Sequence, residues 1–190
     1  MPKEFNILAT TERVNESRAC SELWMLLKAA GDENPWVDRI GIWGLVVANT
    51  KLNPITAIAK MREDWLKKPE AIQALYRVIP LQCLVPTTKE DIVKTTQKLS
   101  TTINAEDSYR ITIEKRRTQL ASKDIIDAVA EGINRRVDLK NPDWLILIEI
   151  TGRITGVSVV PPISILNVQK ERVRLTAEAK KGTAFNDKAG

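Results

Sequence analysis

Basic side chains gather between residues 109 and 161, and their spacing suits the binding of an anion better than catalysis. The segment 109–117 reads YRITIEKRR and is typical of a strand that ends in cations. Lys123 follows at the expected start of a helix, where free backbone N–H groups and a partial positive charge favour phosphate. A solvated loop with ordinary surface charges is the alternative. The candidate contacts in this part of the chain are Arg110, Lys115, Arg116, Arg117 and Lys123.

Four more candidate cations follow, Arg135, Arg136, Lys140 and Arg153. The first two are expected at the end of the helix, where pairing with its negative C-terminus would explain them equally well. Lys140 precedes the run Asn-Pro-Asp, whose main expected role is a rigid turn that sets strand register, because proline keeps the residue before it extended. Arg153 follows a glycine in an expected hairpin turn, where it would also serve solubility. Together the nine cations would converge on a polyanion.

The sequence offers no set of residues that is typical of catalysis. It contains no histidine, which excludes Ser-His and Cys-His nucleophilic pairs and any metal site that needs imidazole. Cys20 and Cys83 form no CxxC motif, so we expect them in the core rather than in a zinc site or a disulfide. The adjacent acids at 63–64 and 90–91 diverge on a helix and cannot share a site. We therefore expect a protein that is not an enzyme and that has no cofactor and no metal.

Composition describes a folded and moderately basic chain. It has 190 residues, of which 43% are hydrophobic and 28% charged, with a net charge of +5. This length holds one or two small domains, and the charge is compatible with a polyanionic partner although many small proteins are equally basic. The N-terminus is not a signal peptide, and apolar runs such as 144–150 are too short to span a bilayer. We expect a cytoplasmic protein.

Hydrophobic periodicity over about the first 85 residues predicts the order β-α-β-β-α-β, which is that of a ferredoxin-like domain. The expected strands are 5–10, 37–42, 43–49 and 76–85, and the helices begin near Asn15 or Ser17 and at Asn53-Pro54. Trp24, Trp65 and Trp144 are expected in the core, and Trp36 and Trp43 are the more exposed tryptophans. The GxxG at 41–44 resembles a nucleic-acid clamp, but glycines at a tight hairpin explain it better.

The second half predicts a linking helix and a second set of strands. Thr88 and Asp91 have the spacing of a helix start, and this helix would run to about residue 101. A strand at 108–115, a helix at 122–136, strands at 144–150 and 154–160 and a short strand at 163–168 would follow. The expected domains are 1–86 and 87–170, and 171–190 would be a flexible tail.

Four segments of this second half resemble the THUMP domain. They are YRITIEKRR at 109–117, SKDII at 122–126, VDLKNPD at 137–143 and LIEI at 147–150, and the third is the most specific. The first half resembles the ferredoxin-like domain that precedes THUMP in tRNA-modifying proteins. The resemblance covers nearly all of residues 4–168. It implies an α/β protein whose ferredoxin-like and THUMP domains bind the acceptor stem and 3′ end of tRNA.

In that family a methyltransferase, deaminase or thiouridine synthetase domain usually follows, and this sequence ends without one. The resemblance therefore implies a non-catalytic adaptor, similar to stand-alone archaeal relatives of the tRNA-binding partner of an RNA cytidine acetyltransferase. Three alternatives stay open: the RNA-binding subunit of a split methyltransferase or thiouridine synthetase, a general RNA-binding protein, and a small-molecule-binding domain.

Overall fold

Residues 4–186, which the computed structural model describes, form two five-stranded sheets with five α-helices. The first sheet contains β1 (Ile7–Thr11), β2 (Trp36–Arg39), β3 (Leu45–Asn49), β4 (Leu75–Pro80) and β10 (Leu166–Asn167), in the order β10-β4-β1-β3-β2. The second contains β5 (Cys83–Pro86), β6 (Ser108–Arg116), β7 (Arg136–Val137), β8 (Trp144–Thr151) and β9 (Ile154–Val160), in the order β5-β9-β8-β6-β7. The helices are α1 (Glu16–Ala29), α2 (Pro54–Lys67), α3 (Lys89–Ser100), α4 (Ser122–Glu131) and α5 (Val168–Asn186).

The first sheet and its two leading helices confirm the expected β-α-β-β-α-β order. All neighbouring strands in this sheet are antiparallel. Helices α1 and α2 cover one face, where Leu23, Leu27 and Met61 are fully buried. Helix α2 begins as expected, because the Asn53 side chain accepts hydrogen bonds from the backbone N–H groups of Ile55 and Thr56.

The second sheet mixes both strand directions. Strand β6 pairs in parallel with β7 and β8, and β9 pairs antiparallel with β8 and β5. Helices α3 and α4 cover one face of this sheet. The Thr88 hydroxyl accepts a hydrogen bond from the backbone N–H of Asp91 at 3.1 Å, so the expected helix start is confirmed. Among residues 4–186, no helix has the length and apolar character needed to cross a membrane.

The two sheets share a core, because their uncovered faces pack against each other. In β8, Ile146 and Ile148 face the helices, whereas Leu147 faces the first sheet. There it belongs to one buried cluster with Leu8 and Ile79 of β1 and β4. This alternation is the two-residue period of a strand that is buried on both faces. The two bodies are therefore joined by packing as well as by the chain.

The expected single strand at 76–85 is wrong, because the chain crosses there from one sheet to the other. Strand β4 ends at Pro80 and β5 begins at Cys83. Between them, the Leu81 N–H donates to the Asn6 carbonyl at 2.9 Å and the Gln82 N–H to the Val157 carbonyl at 3.1 Å. The first bond holds the chain to the first sheet and the second to the other sheet.

The expected helix at 122–136 is too long, since α4 ends at Glu131. Gly132 follows it, and Arg135 and Arg136 lie beyond the helix rather than at its end. Arg136 instead begins the short edge strand β7. The side chains of these two arginines are therefore held by other groups, described below.

The C-terminal segment returns to the first body. Strand β10 pairs with β4, and α5 continues from it. The Arg62 guanidinium of α2 pairs with Glu171 at 3.0 Å and donates to the Ile165 carbonyl at 2.6 Å. Residues 166–167 and the first turns of α5 thus belong with the first sheet, not with the second domain or the tail in which we expected them. Residues 1–3 and 187–190 of the expected first domain and tail lie outside the described residues.

Tryptophan burial agrees only in part with the expectation. Trp65 is 1% exposed and Trp43 is 66% exposed, as expected. Trp144 is half-buried, and so is Trp36, which packs against the shared core. Trp24 is 46% exposed on α1, so its assignment to the core is wrong. Trp24 is next to Leu23 in an apolar stretch, which led to its assignment to the core. Its side chain points away from the face that α1 buries.

Candidate nucleic-acid interface

A groove of about 680 Å³ opens between the two sheets where their shared core ends. The second body supplies β6 and the loop 140–142 to its walls, and the first body supplies β4, β10 and the start of α5. The charged and amide side chains along it are Arg77, Arg110, Glu114, Lys140, Asn141, Asn167 and Lys170. Leu145, Leu147 and Ile165 line its apolar part.

The alternation of β6 determines which side chains enter the groove. Ile111 and Ile113 pack into the core beneath α3 and α4. Arg110, Thr112 and Glu114 therefore point to the opposite face, and all three line the groove. A polar face on this strand is unusual for a strand between two neighbours in a sheet. It marks the part of the sheet that the first body does not cover.

The loop that carries Lys140 is held by carboxylates. The Asp138 side chain accepts hydrogen bonds from the backbone N–H groups of Lys140 and Asn141, each at 2.9 Å. These bonds lower the pKa of Asp138 below its ordinary value. Arg110 donates to the Leu139 carbonyl at 3.2 Å, which ties the same loop to β6. The two cations from the second body are thus positioned before any ligand arrives.

The expected register role of the Asn-Pro-Asp run has a concrete basis in Asp143. Its carboxylate accepts hydrogen bonds from the backbone N–H of Ser108 at 2.8 Å and from the Ser108 hydroxyl at 2.6 Å. Bonds from the Ser108 hydroxyl and then the backbone hold the pKa of Asp143 below its usual range. This contact fixes the start of β8 against the start of β6, and so places the loop beside Arg110.

Cations from both bodies face one another across the groove. Arg77 and Lys170 come from the first body and Arg110 and Lys140 from the second, and Glu114 is the acid among the lining residues. A polyanion in the groove would contact both bodies at once. Side-chain amides at Asn141 and Asn167 add donors and acceptors for sugar or base edges.

Three of the predicted site residues near α4 are engaged with the protein itself. The Lys115 ammonium donates to the Leu120 carbonyl at 2.8 Å. Arg116 lies 3.9 Å from the Glu114 carboxylate, and Lys123 pairs with Asp127 at 2.6 Å. Lys115 keeps its charge but is tied to the loop before α4, whereas Arg116 and Lys123 each lie beside a carboxylate.

The remaining predicted cations are distributed around the second body. Arg135 donates to the Ile103 carbonyl at 3.1 Å, which ties the chain after α4 to the loop after α3. Arg136 lies 3.7 Å from the Asp138 carboxylate. Arg153 is exposed in the β8–β9 turn. Arg117 lines a second cleft with Arg39 and Trp43 of the first body. Of the nine predicted cations, only Arg110 and Lys140 line the groove.

Sequence reasoning missed Arg77, Lys170 and Arg39. Each lies outside the basic stretch and reaches a cleft only through tertiary structure. Arg77 sits in an apolar strand, where its neighbour Val78 is buried on the other face. This break in an apolar run is the one local signal that could have identified it.

The model of the THUMP domain family matches residues 86–160. Residues 86–160 are a THUMP domain. The match begins at the end of β5 and ends with β9, so it covers most of the second sheet and helices α3 and α4. A THUMP domain implies RNA binding in tRNA modification, which agrees with a groove lined by cations.

Solved structures share the fold of both bodies. PH1313 from Pyrococcus horikoshii is 16% identical with a TM-score of 0.55, over 83% of this chain and 55% of that one. TrmN from Thermus thermophilus is 16% identical with a TM-score of 0.54, over 82% and 45%. A possible methylase from Clostridium difficile 630 is 12% identical with a TM-score of 0.53, over 83% and 41%. The chain thus spans about half of each of these proteins. Curated protein sequences gave no match.

Proposed function

We propose that this protein binds tRNA through its acceptor stem and 3′ end and presents it to a separate modifying enzyme. In this role it is a non-catalytic adaptor, and a tRNA cytidine acetyltransferase is the partner we favour. The THUMP domain at 86–160 supports the RNA and tRNA-modification part of the proposal. The adaptor role and the acetyltransferase partner go beyond this support, and they rest on the family resemblance of the sequence.

The observation that carries the proposal is the groove between the bodies. Four cations from both sheets converge there, and the loop that holds Lys140 is fixed by backbone bonds to Asp138. An A-form stem with an unpaired tail is recognised mainly by shape and by phosphate and sugar contacts, which such a groove can supply.

A second candidate is the RNA-binding subunit of a split modification enzyme. It is favoured by the fold shared with a possible methylase, of which this chain covers 41%. The two candidates agree on tRNA and differ in the enzyme that acts on it.

Two measurements test these proposals. In a gel-shift assay, intact tRNA should bind more tightly than tRNA lacking its 3′ end, and equal affinity would reject acceptor-end recognition. Nucleoside analysis of tRNA from a deletion strain should show loss of 4-acetylcytidine. Loss of a methylated or thiolated nucleoside instead would establish the second candidate, and an unchanged profile would reject both.

A further inference from the structure

A second cleft, of about 520 Å³, lies where the β2–β3 turn of the first body meets the β6–α4 loop of the second. Its lining residues include Asp38, Arg39, Trp43 and Arg117. It therefore combines an aromatic ring with two guanidinium groups, one from each body. Trp43 is the most accessible tryptophan among residues 4–186, with 66% of its surface exposed.

The turn that presents Trp43 is held in place on both sides. Gly41 and Gly44 have φ values of 69° and 74°, which favour glycine, so the turn needs both of them. The Gly44 N–H donates to the Glu16 carboxylate at 2.7 Å, and the Gly44 carbonyl accepts from the Thr11 N–H at 3.0 Å. A side chain at Gly44 would meet the Thr11 carbonyl at 2.9 Å. The exposed ring is thus carried by a fixed turn rather than a loose loop.

Arg117 occupies a backbone conformation that costs free energy for any residue with a side chain. Its φ is +55°, in the left-handed region where glycine is favoured. Glycine would adopt this conformation without strain. The backbone therefore does not explain why arginine is at this position, and a role of its guanidinium would. Strain of this kind is concentrated at ligand sites.

The acids of the cleft are already engaged. The Glu16 carboxylate accepts the Gly44 N–H, which lowers the pKa of Glu16, and Arg39 lowers it further. Asp38 accepts a hydrogen bond from the backbone N–H of Arg39 at 2.7 Å. The Trp43 ring and the Arg39 and Arg117 guanidinium groups line the same cleft beside these acids.

We propose that this cleft is a stacking site for an unpaired RNA base, which lies on the Trp43 ring while Arg39 and Arg117 contact its flanking phosphates. Aromatic faces bind bases of any sequence, and guanidinium groups match phosphate geometry. The inference rests on the proposed RNA binding and deepens it. Arg110 lies near the start of β6 and Arg117 just past its end, about 23 Å apart at the rise of a strand, so groove and cleft contact different nucleotides.

The test compares two labelled RNA hairpins by fluorescence anisotropy, one blunt and one with a short single-stranded extension. Trp43→Ala should weaken binding of the extended hairpin by about tenfold and leave the blunt hairpin unchanged, whereas Trp43→Phe should retain most of the affinity. Arg117→Gly suits the backbone, so it should fold normally and still weaken the extended hairpin. Trp24→Ala is the matched control. Trp24 is also exposed and has a cation beside it, since the Lys28 ammonium lies 5.7 Å from its ring centroid, but it is outside the cleft.

Failure of this site and failure of the proposed function give different results. If Arg110→Ala weakens both hairpins and Trp43→Ala weakens neither, RNA binding stands and the stacking site is rejected. If the wild-type protein binds neither hairpin, both proposals are rejected. Adenosine monophosphate should compete weakly. If it binds tightly at Trp43 while the extended hairpin is unaffected by Trp43→Ala, the cleft serves a free nucleotide and the RNA proposal for it is wrong.

Discussion

Glu149 is the most deeply buried carboxylate of the interface between the sheets, with 3% of its surface exposed. It lies on the same strand face as Leu147, and its register partner on β6 is Glu114. Burial raises the pKa of Glu149 to about 7; Arg77 and Arg116 oppose this rise, and Glu114 adds to it. The shared core therefore contains a group that titrates near neutral pH.

This titration predicts a loss of stability as the pH rises. The unfolded carboxyl ionises near 4.5 and the folded one near 7, so between these values the folded protein holds a proton that the unfolded chain has released. The contribution of Glu149 to stability should be fully present below pH 4.5 and should be lost as the pH rises to about 7. The free energy of unfolding should fall by about 3.5 kcal/mol at most, because each tenfold difference in proton affinity between the two states corresponds to roughly 1.4 kcal/mol.

Glu149→Gln should remove this dependence. In urea unfolding, the variant should be more stable than the wild type at pH 8, and the two should be nearly equal at pH 4.5, because the wild-type carboxyl is then protonated in the folded state. Glu114→Gln, at a half-exposed position on the neighbouring strand, is the control and should change the pH dependence less. A constant offset between wild type and Glu149→Gln at both pH values would contradict the assignment.

At the scale of elements, the crossing from β4 to β5 depends on the absence of a side chain on β9. A Cβ at Gly156 would lie 2.7 Å from both terminal methyl carbons of Leu81, which is 2% exposed. Gly156→Ala should therefore destabilise the protein by about 1–3 kcal/mol through overpacking. Thermal unfolding measures the loss. Because Val is shorter than Leu, adding Leu81→Val should recover part of it, and strictly additive effects would show that the two sites do not touch.

An ion pair that is largely shielded from solvent adds to the strand pairing that holds strand β10 and helix α5 to the first body. The Arg62 and Glu171 side chains are 12% and 25% exposed, and Arg62 also donates to the Ile165 carbonyl. Arg62→Ala leaves the carboxylate and the carbonyl without this donor, so we expect a loss of about 2 kcal/mol in urea unfolding. Lys67→Ala is the control on the same helix, since Lys67 pairs with Asp64 at the surface. Equal losses for both variants would contradict this role of Arg62.

The elements show what local pattern can and cannot specify. Periodicity predicted the order of strands and helices in both bodies, because each element buries one face or both faces locally. It merged β4 and β5, because a continuous apolar run does not record which sheet each residue joins. It extended α4 past Glu131, because Ile133 is also apolar and is buried without being helical.

Only two of the four groove cations could be predicted from the sequence, again because local pattern does not record tertiary contacts. Arg110 and Lys140 lie in the basic stretch that the sequence displays. Arg77 and Lys170 lie far from that stretch in sequence. The pairing of β10 with β4 brings them together on the opposite wall. Lys115, Lys123 and Arg135 looked equivalent to Arg110 in sequence, but none of them lines the groove, because the fold places their side chains elsewhere on the second body.

At the scale of the whole molecule, two bodies with a shared core behave as one binding surface. The cations of the groove are divided between sheets that are remote in sequence but fixed by Leu8, Ile79 and Leu147. The two walls therefore cannot separate without exposing this core. A phosphate chain in the groove would bind cations that are already in position. This lowers the loss of conformational entropy on binding.

This arrangement predicts a steep dependence of RNA affinity on salt. Each cation that neutralises a phosphate adds about −0.7 to −0.9 to the slope of log affinity against log salt, so four groove cations predict about −3. Arg110→Ala and Lys140→Ala should each weaken binding to all RNA sequences and reduce the slope by about 1. Lys123→Ala is the matched control, because Lys123 was an equal candidate in sequence but pairs with Asp127 at 2.6 Å. If Lys123→Ala changed the slope as much as Arg110→Ala, the RNA would lie over the start of α4 and not in the groove.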